Sequence, residues 1–270
     1  MPIHDEIVTH TGGKYKVIKI AQENLPDLKE LIKDRLADVC FGAEGVRIEP
    51  DTYTYIEACR QLYSNLDRYD DVKKYGLIGE LLMHVLAPGV LDFEAESMSM
   101  VLALQNQNIK PGFDLNFHDK NQKKIWYGEV KSGLNHDDRK ELIARARDGL
   151  RNYFDNIDSV GEKSTSYRWD AAKHEVAVIF AAKERVTLSQ LLTSDRASIS
   201  TNSDKRRNAL LMTVSFGDSS YELSTTQDIE DSITNLVNLN CFDDYLVINT
   251  HKQTFDDIIV FLKNEGQCDE

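Results

Sequence analysis

The sequence predicts an α/β protein with a helical N-terminal region and a mixed central sheet flanked by helices. Apolar residues follow the helical period over most of the first hundred residues, and from residue 98 short apolar strands appear between polar turns. Helices first, and then the order strand, strand, strand, helix, strand, indicate a sheet-containing core. We expect residues 1–70 to form the mainly helical region and residues 71–270 to form the core with a C-terminal strand and helix extension.

Helices are predicted first. An apolar face runs from Leu28 to Val39, with Pro26 suited to the first turn and Gly42 to the stop. A second apolar face lies between Tyr55 and Leu66. The third helix, Val72 to Leu86, is apolar nearly all round, which indicates burial on more than one side.

The remaining elements alternate strands with helices. Strands are predicted at Ser97–Leu104, Gly112–His118, Lys123–Lys131, Glu175–Ala182, Leu210–Phe216 and Tyr245–Asn249. Helices are predicted at Asp137–Phe154, Ile229–Leu239 and Phe255–Leu262. The polar, serine-rich segment 194–208 is predicted to be a loop.

Composition and charge exclude several classes of protein. The 270 residues are 41% hydrophobic and 29% charged, which excludes a wholly disordered chain. There is no apolar run of bilayer length and no secretory signal pattern, so we expect a cytoplasmic protein without a membrane partner. The four cysteines lack Cys-x-x-Cys spacing, which excludes a thiolate zinc site. A net charge of −13 argues against broad non-specific binding of nucleic acid, so any such contact needs a local basic patch or a partner.

The candidate chemistry lies between Lys110 and Gly133. Alternation places Phe113, Leu115 and Phe117 on one side of their strand and Asp114 on the other, and it places Glu129 and Lys131 side by side on the next strand. A hairpin would bring Asp114 next to Glu129. Two carboxylates that converge with an ammonium group can hold Mg²⁺, while the lysine orients or activates a water. The alternative is a solvated face with alternating charge, which the apolar character of the strand disfavours.

Glu80 adds a further carboxylate. It lies on the third helix opposite the main apolar face, on a stripe with Gly76 and His84. A buried carboxylate needs a partner, and a metal, a lysine or a structural salt bridge would each serve.

This arrangement resembles the PD-(D/E)xK nuclease superfamily, which is restriction-endonuclease-like in fold. More narrowly, Tyr75-Gly-Leu-Ile-Gly-Glu-Leu-Leu, Gly112-Phe-Asp and Tyr127-Gly-Glu-Val-Lys look like the HamA family, the nuclease component of the Hachiman anti-phage system. The resemblance implies a metal-dependent DNase that uses Mg²⁺ or Mn²⁺ and works with a superfamily 2 helicase partner, HamB.

The resemblance also implies roles for individual residues. Asp114 and Glu129 would bind metal, Lys131 would be the catalytic lysine, and Glu80 matches the helix carboxylate that joins the catalytic and metal-binding set in many of these nucleases. Phe113 stands where the motif's name places proline. Some relatives carry Gln-x-x-x-Tyr on the following helix, where this chain reads Gly149-Leu-Arg-Asn-Tyr153, so an exonuclease of that type is not favoured.

Three cations on the helix after the motif are candidate DNA contacts. Lys140, Arg147 and Arg151 share one flank and could hold the backbone near the scissile phosphate. The alternative is solvated positions paired with acidic neighbours, which is the preferred interpretation for Lys140 alone.

The leading prediction is a Mg²⁺-dependent deoxyribonuclease, the effector of an anti-phage complex. One alternative is a stand-alone restriction-type endonuclease, which would give discrete fragments. The other is a non-catalytic adaptor that docks a helicase, in which loss of Glu129 or Lys131 would leave biological activity intact. Residues 1–70 are a candidate docking region for the partner.

Overall fold

The computed structural model describes residues 7–102, 112–134, 139–158, 165–201, 205–217, 226–252 and 255–267. Within them, strands form a seven-stranded sheet in the order β1-β2-β7-β6-β5-β4-β3. The strands are β1 (Ile7–His10), β2 (Tyr15–Ile20), β3 (Ala95–Ser97), β4 (Leu115–Asp119), β5 (Lys124–Leu134), β6 (Asn208–Phe216) and β7 (Tyr245–Lys252). The middle strands β2, β7, β6 and β5 are mutually parallel, and antiparallel strands complete both edges.

Helices cover both faces of this sheet. They are α1 (Leu25–Phe41), α2 (Ala43–Ile48), α3 (Tyr55–Arg68), α4 (Asp71–Leu86), α5 (Arg139–Asp155), α6 (Tyr167–Ile179), α7 (Ala182–Thr201), α8 (Thr226–Leu239) and α9 (Asp256–Gly266). One apolar cluster joins α1, α3, α4 and α9 to one sheet face, which we call the α4 face. A second cluster joins α5, α6, α7 and α8 to the other, the α5 face. None of the described helices is both long and apolar enough to cross a membrane.

Most predicted elements are confirmed. The three N-terminal helices correspond to α1, α3 and α4, and the hairpin strands to β4 and β5. The predicted helix at Asp137–Phe154 is α5, although residues 137 and 138 lie outside the described residues. The C-terminal strands and helices are β6, α8, β7 and α9. The predicted α/β class with a mixed central sheet flanked by helices is therefore confirmed, and a PD-(D/E)xK core stays a prediction.

The predicted strand at Glu175–Ala182 is wrong. Residues 167–179 form α6, and Phe180, which lies within the apolar run, is extended and separates α6 from α7. Buried Trp169, Ala172 and Val176 are spaced three and four residues apart, which is the period of a helix face packed on a core. Val176 and Phe180 of the apolar run therefore pack in the α5-face cluster from a helix and its C-terminal end rather than from a central strand.

The predicted loop at 194–208 is also wrong over most of its described length. Helix α7 continues to Thr201, and its buried Leu188, Leu192 and Ile199 keep helical spacing. Residues 202–204 lie outside the described residues, and β6 begins at Asn208.

The N-terminal segment holds two strands that the helical pattern did not predict. β1 and β2 form a hairpin, and β2 pairs in parallel with β7, with Tyr15 beside Val247. The predicted strand at Ser97–Leu104 is misplaced: β3 ends at Ser97, residues 98–102 are not strand, and residues 103 and 104 lie outside the described residues. The first 70 residues thus contribute strands to the same sheet as the rest, and the division at residue 70 stays a prediction.

Candidate active site

The long strand β5 carries Glu129 and Lys131, and its side chains alternate between the α4 face and the α5 face of the sheet. Tyr127 belongs to the cluster on the α5 face, and Trp126 and Val130 belong to the cluster on the α4 face. Because side chains alternate along a strand, Glu129 and Lys131 project on the α5 face with Tyr127. This agrees with the shared face predicted for these residues.

Glu129 is the buried centre of the site. It is 2% exposed, and its Oε1 lies 2.5 Å from Nζ of Lys131. The hydroxyl of Tyr153 on α5 donates to the same oxygen at 3.0 Å. Burial, with the negative charge of Asp114 as the second cause, raises the pKa of the Glu129 carboxyl to about 7, although Lys131 and Tyr153 oppose the rise. The structure therefore places three predicted residues, Asp114, Glu129 and Lys131, in one electrostatically coupled group.

Asp114 reaches this group from the residue just before β4. Leu115 pairs with Gly128, so Asp114 comes beside the Glu129 end of the hairpin, as predicted. Its Oδ2 accepts a hydrogen bond from the backbone N–H of Val130 at 2.8 Å, which fixes the carboxylate against β5.

Phe113 does not follow the predicted alternation. It packs in the cluster on the α5 face, with its ring centroid 4.7 Å from that of Tyr127, whereas Leu115 and Phe117 pack on the α4 face. The strand begins only at Leu115, so the period of two does not extend back to Phe113.

Sequence reasoning underestimated two residues of α5. Gly149 and Tyr153 are four residues apart, so both face β5, and an ideal Cβ on Gly149 would lie 2.8 Å from Oε1 of Glu129. The Tyr153 ring is in turn covered by the guanidinium of Arg168 on α6, 3.5 Å from its centroid. Arg168 also donates to the carbonyl of Gly112, next to the Phe113–Asp114 segment. The four-residue spacing of Gly149 and Tyr153 could have indicated that both face the strand of Glu129. No feature of the sequence indicated the contact of Arg168 with Tyr153.

Replacing Gly149 with alanine should impair the site without unfolding the protein. The new methyl group would meet Glu129 at Oε1 and at Cδ, 3.1 Å away, and would push the carboxylate from Lys131 and Asp114. We expect the initial rate of the predicted Mg²⁺-dependent DNA degradation to fall about tenfold or more, because a small displacement of a catalytic group strongly lowers the rate. Gly76→Ala is the matched control, since nothing lies within 4 Å of a Cβ there. Equal activity in the two variants would contradict the expectation.

Glu80 lies on α4 and faces His84. Its Oε1 is 3.8 Å from Nε2 of His84, and that nitrogen lies 3.2 Å from the carbonyl oxygen of Asp114. The predicted position of Glu80 and His84 on the same side of the helix is therefore confirmed. His84 lies between Glu80 and the backbone of Asp114. Within the described ranges no group of three or more His, Cys, Asp or Glu side chains is arranged to hold a metal ion. A metal contact by Glu80 stays a prediction.

The donor set of Asp114 and Glu129 suits a hard divalent cation. Oε2 of Glu129 is buried and has no hydrogen-bond partner in the part of the chain that the structure describes. Burial disfavours the charge of the Glu129 carboxyl and raises its pKa, and the nearby negative charge of Asp114 raises it further. Mg²⁺ is commonly bound through one or two carboxylates together with water and substrate phosphate, so this pair is sufficient in number.

The cationic flank of α5 is turned from Glu129. At 3.6 residues per turn, Lys140, Arg147 and Arg151 lie about 160–180° around the helix from Gly149. Lys140 is 2.9 Å from Asp228 on α8, and Arg147 pairs with Asp148 at 2.8 Å. Arg151 is exposed. The acidic pairing favoured for Lys140 is therefore present, and DNA binding by this flank stays a prediction.

Comparison with known proteins identifies one family. A family model described as HamA matches residues 3–262 of the 270. No curated protein matches the chain, and no solved structure does.

Proposed function

This chain belongs to the HamA family, which makes it a component of the Hachiman defence system, and from this premise and the geometry of the site we propose that it is a metal-dependent DNA nuclease. The observation that carries the proposal is the buried Glu129, held between Lys131 and Asp114. A carboxylate in so costly an environment points to a functional site rather than to a surface ion pair.

The order of elements around the site supports a PD-(D/E)xK core. Helix α4 precedes β3, β4 and β5, and α5 follows β5, with α6 and α7 between α5 and the parallel strand β6. Asp114, Glu129 and Lys131 fall at the positions that the superfamily resemblance assigns to its catalytic residues.

In this proposal each residue has a distinct task. Asp114 and Glu129 hold Mg²⁺ or Mn²⁺, which when bound supplies Lewis-acid polarisation of the phosphate and neutralises its charge. The Lys131 ammonium, already beside the carboxylate, orients the attacking water or stabilises the negative charge that develops on the phosphate. Tyr153 and Gly149 keep Glu129 in place from the α5 side. The water oxygen forms a new bond to phosphorus, the bond from phosphorus to the leaving oxygen breaks, and a proton of the water passes to that oxygen, which departs as a hydroxyl.

We also propose that the nuclease works with a helicase subunit of the HamB type. The net charge of −13 disfavours autonomous capture of DNA, so a partner that holds or opens the duplex would supply the substrate. Strong binding of duplex DNA by the isolated chain at physiological salt would contradict this part of the proposal.

The test is Mg²⁺-dependent degradation of plasmid and linear DNA by the protein co-purified with its helicase, compared with the same complex carrying Glu129→Gln. Glutamine keeps the size of the side chain and removes the charge. We expect degradation to fall about a hundredfold or more, because one ligand of the cation is lost. Unchanged degradation would reject the site, and discrete fragments would favour the stand-alone restriction-type alternative. Loss of phage protection in the variant would contradict the adaptor alternative.

A further inference from the structure

A row of polar side chains continues the sheet surface beside Lys131. Thr213 on β6 is the register partner of Lys131, and Asn249 on β7 is the partner of Thr213. Register partners in parallel strands project to the same face, so this row shares the α5 face with Glu129. Ser215, two residues further along β6, also lies on this face.

These side chains are deeply buried and short of hydrogen bonds. Thr213 and Ser215 are 0% exposed and Asn249 is 1% exposed. Among the described residues, neither hydroxyl has a hydrogen-bond partner, and neither has Nδ2 of Asn249. Buried polar groups are nearly always paired, so three neighbouring exceptions call for a specific explanation. We take it to be contact with a ligand.

The chemistry of the row fits an anion. Two hydroxyls and an amide nitrogen can all donate hydrogen bonds, and the ammonium of Lys131 supplies a positive charge at one end. Phosphate oxygens are acceptors only, and proteins hold phosphates with such combinations of cations, hydroxyls and amides. The row also lies towards the carboxyl ends of parallel strands, where open α/β sheets bind their ligands.

We propose that Thr213, Ser215 and Asn249 bind a backbone phosphate of the nucleic acid, next to the phosphodiester positioned at Glu129 and Lys131. Neighbouring strands are about 4.8 Å apart, so the row extends about 10 Å across β6 to β7 from the catalytic lysine. The inference rests on the proposed function, since it takes the scissile phosphodiester to lie at Glu129.

A matched pair of substitutions tests this inference. Thr213→Val removes the hydroxyl at constant shape. Thr250→Val is the control, because Thr250 is also fully buried with an unpartnered hydroxyl but lies on the opposite face, in register with Val214 and Ile18 of the α4-face cluster. Affinity for a fluorescently labelled DNA oligonucleotide is measured by anisotropy in Ca²⁺ at low salt, where the reduced screening makes weak binding by the isolated chain measurable, alongside thermal unfolding.

We expect Thr213→Val to bind DNA about ten- to a hundredfold more weakly, the effect of one lost hydrogen bond to a charged group. Thr250→Val should bind like the wild type, and neither variant should unfold at a lower temperature. Ser215→Ala should weaken binding in the same direction as Thr213→Val.

Several outcomes would overturn the inference. These are wild-type affinity in Thr213→Val, equal losses in both threonine variants, or a wild-type chain that binds no DNA in this assay. If the wild type binds inorganic phosphate and Thr213→Val leaves DNA affinity unchanged, the row binds a free anion rather than the DNA backbone. Failure here, with DNA degradation still abolished by Glu129→Gln, would reject the phosphate row alone. Degradation that persists in Glu129→Gln would reject the proposed function itself.

Discussion

Replacing Lys131 with methionine should reduce DNA degradation by about a hundredfold or more, the effect expected when a group that stabilises charge in the transition state is removed. Methionine keeps most of the aliphatic stem and removes only the ammonium. The same change removes the cation that lowers the pKa of Glu129, so that carboxyl would be protonated over more of the neutral pH range. Both consequences act against hydrolysis.

Lys252→Met is the matched control for this experiment. Lys252 is a fully buried lysine on β7, and its Nζ lies 3.5 Å from Asp257, so its loss also removes an ion pair from a strand of the sheet. Its side chain projects on the α4 face with its register partner Phe216. Degradation measured as initial rate per complex should be normal in Lys252→Met. Equal loss in both variants would mean that the effect is one of folding rather than of catalysis.

Replacing Gly79 with alanine should lower the free energy of unfolding by about 2 kcal/mol, the usual cost of overpacking a core. Helix α4 approaches β5 so closely at this point that an ideal Cβ on Gly79 would lie 1.7 Å from Oγ and 2.9 Å from Cβ of Ser132. The serine hydroxyl can rotate, but its Cβ is fixed to the strand, so helix and sheet must separate. Urea denaturation of the variant gives the change directly.

Gly76→Ala on the same helix should change stability in the opposite direction. Gly76 is exposed and has no atom near its ideal Cβ, so alanine should stabilise α4 by up to about 1 kcal/mol. The double variant Gly79→Ala with Ser132→Gly removes the obstructing side chain and should recover part of the loss. No loss of stability in Gly79→Ala would show that the α4–β5 approach is looser than the structure indicates. Loss of stability in Gly76→Ala would contradict the open space around that residue.

The sequence was most informative where local periodicity and burial agree. Glu129 and Lys131 could be placed side by side because a strand alternates its side chains, and Asp114 because a hairpin fixes the register of its two strands. The buried stripe of α4 was likewise readable from its spacing. These features depend on residues close together in the chain.

What the sequence did not predict depends on distant partners. The short apolar pattern of β2 forms a strand because β2 pairs with β7, which is distant in the sequence. The apolar run at Val176 resembles a strand in sequence, but it belongs to α6 and to the junction with α7. The contact of Tyr153 with Glu129, and of Arg168 with Tyr153, joins three elements that no local pattern links. Propensity and periodicity carry little information on such tertiary contacts.

Because β7 lies between β2 and β6, the strands of the sheet cannot all pair until β7 has been synthesised. The hairpin of β1 and β2 is synthesised before β7, and it can join the parallel strands only once β7 is available to pair with β2. Because β2 and β7 are far apart in the sequence, their pairing slows folding, and a partly synthesised chain cannot form the whole sheet. A nascent chain that has not reached residue 245 therefore lacks the strand that connects β2 to β6 and, through it, to the hairpin of β4 and β5. The seven-stranded sheet is therefore complete only after β7 has been synthesised.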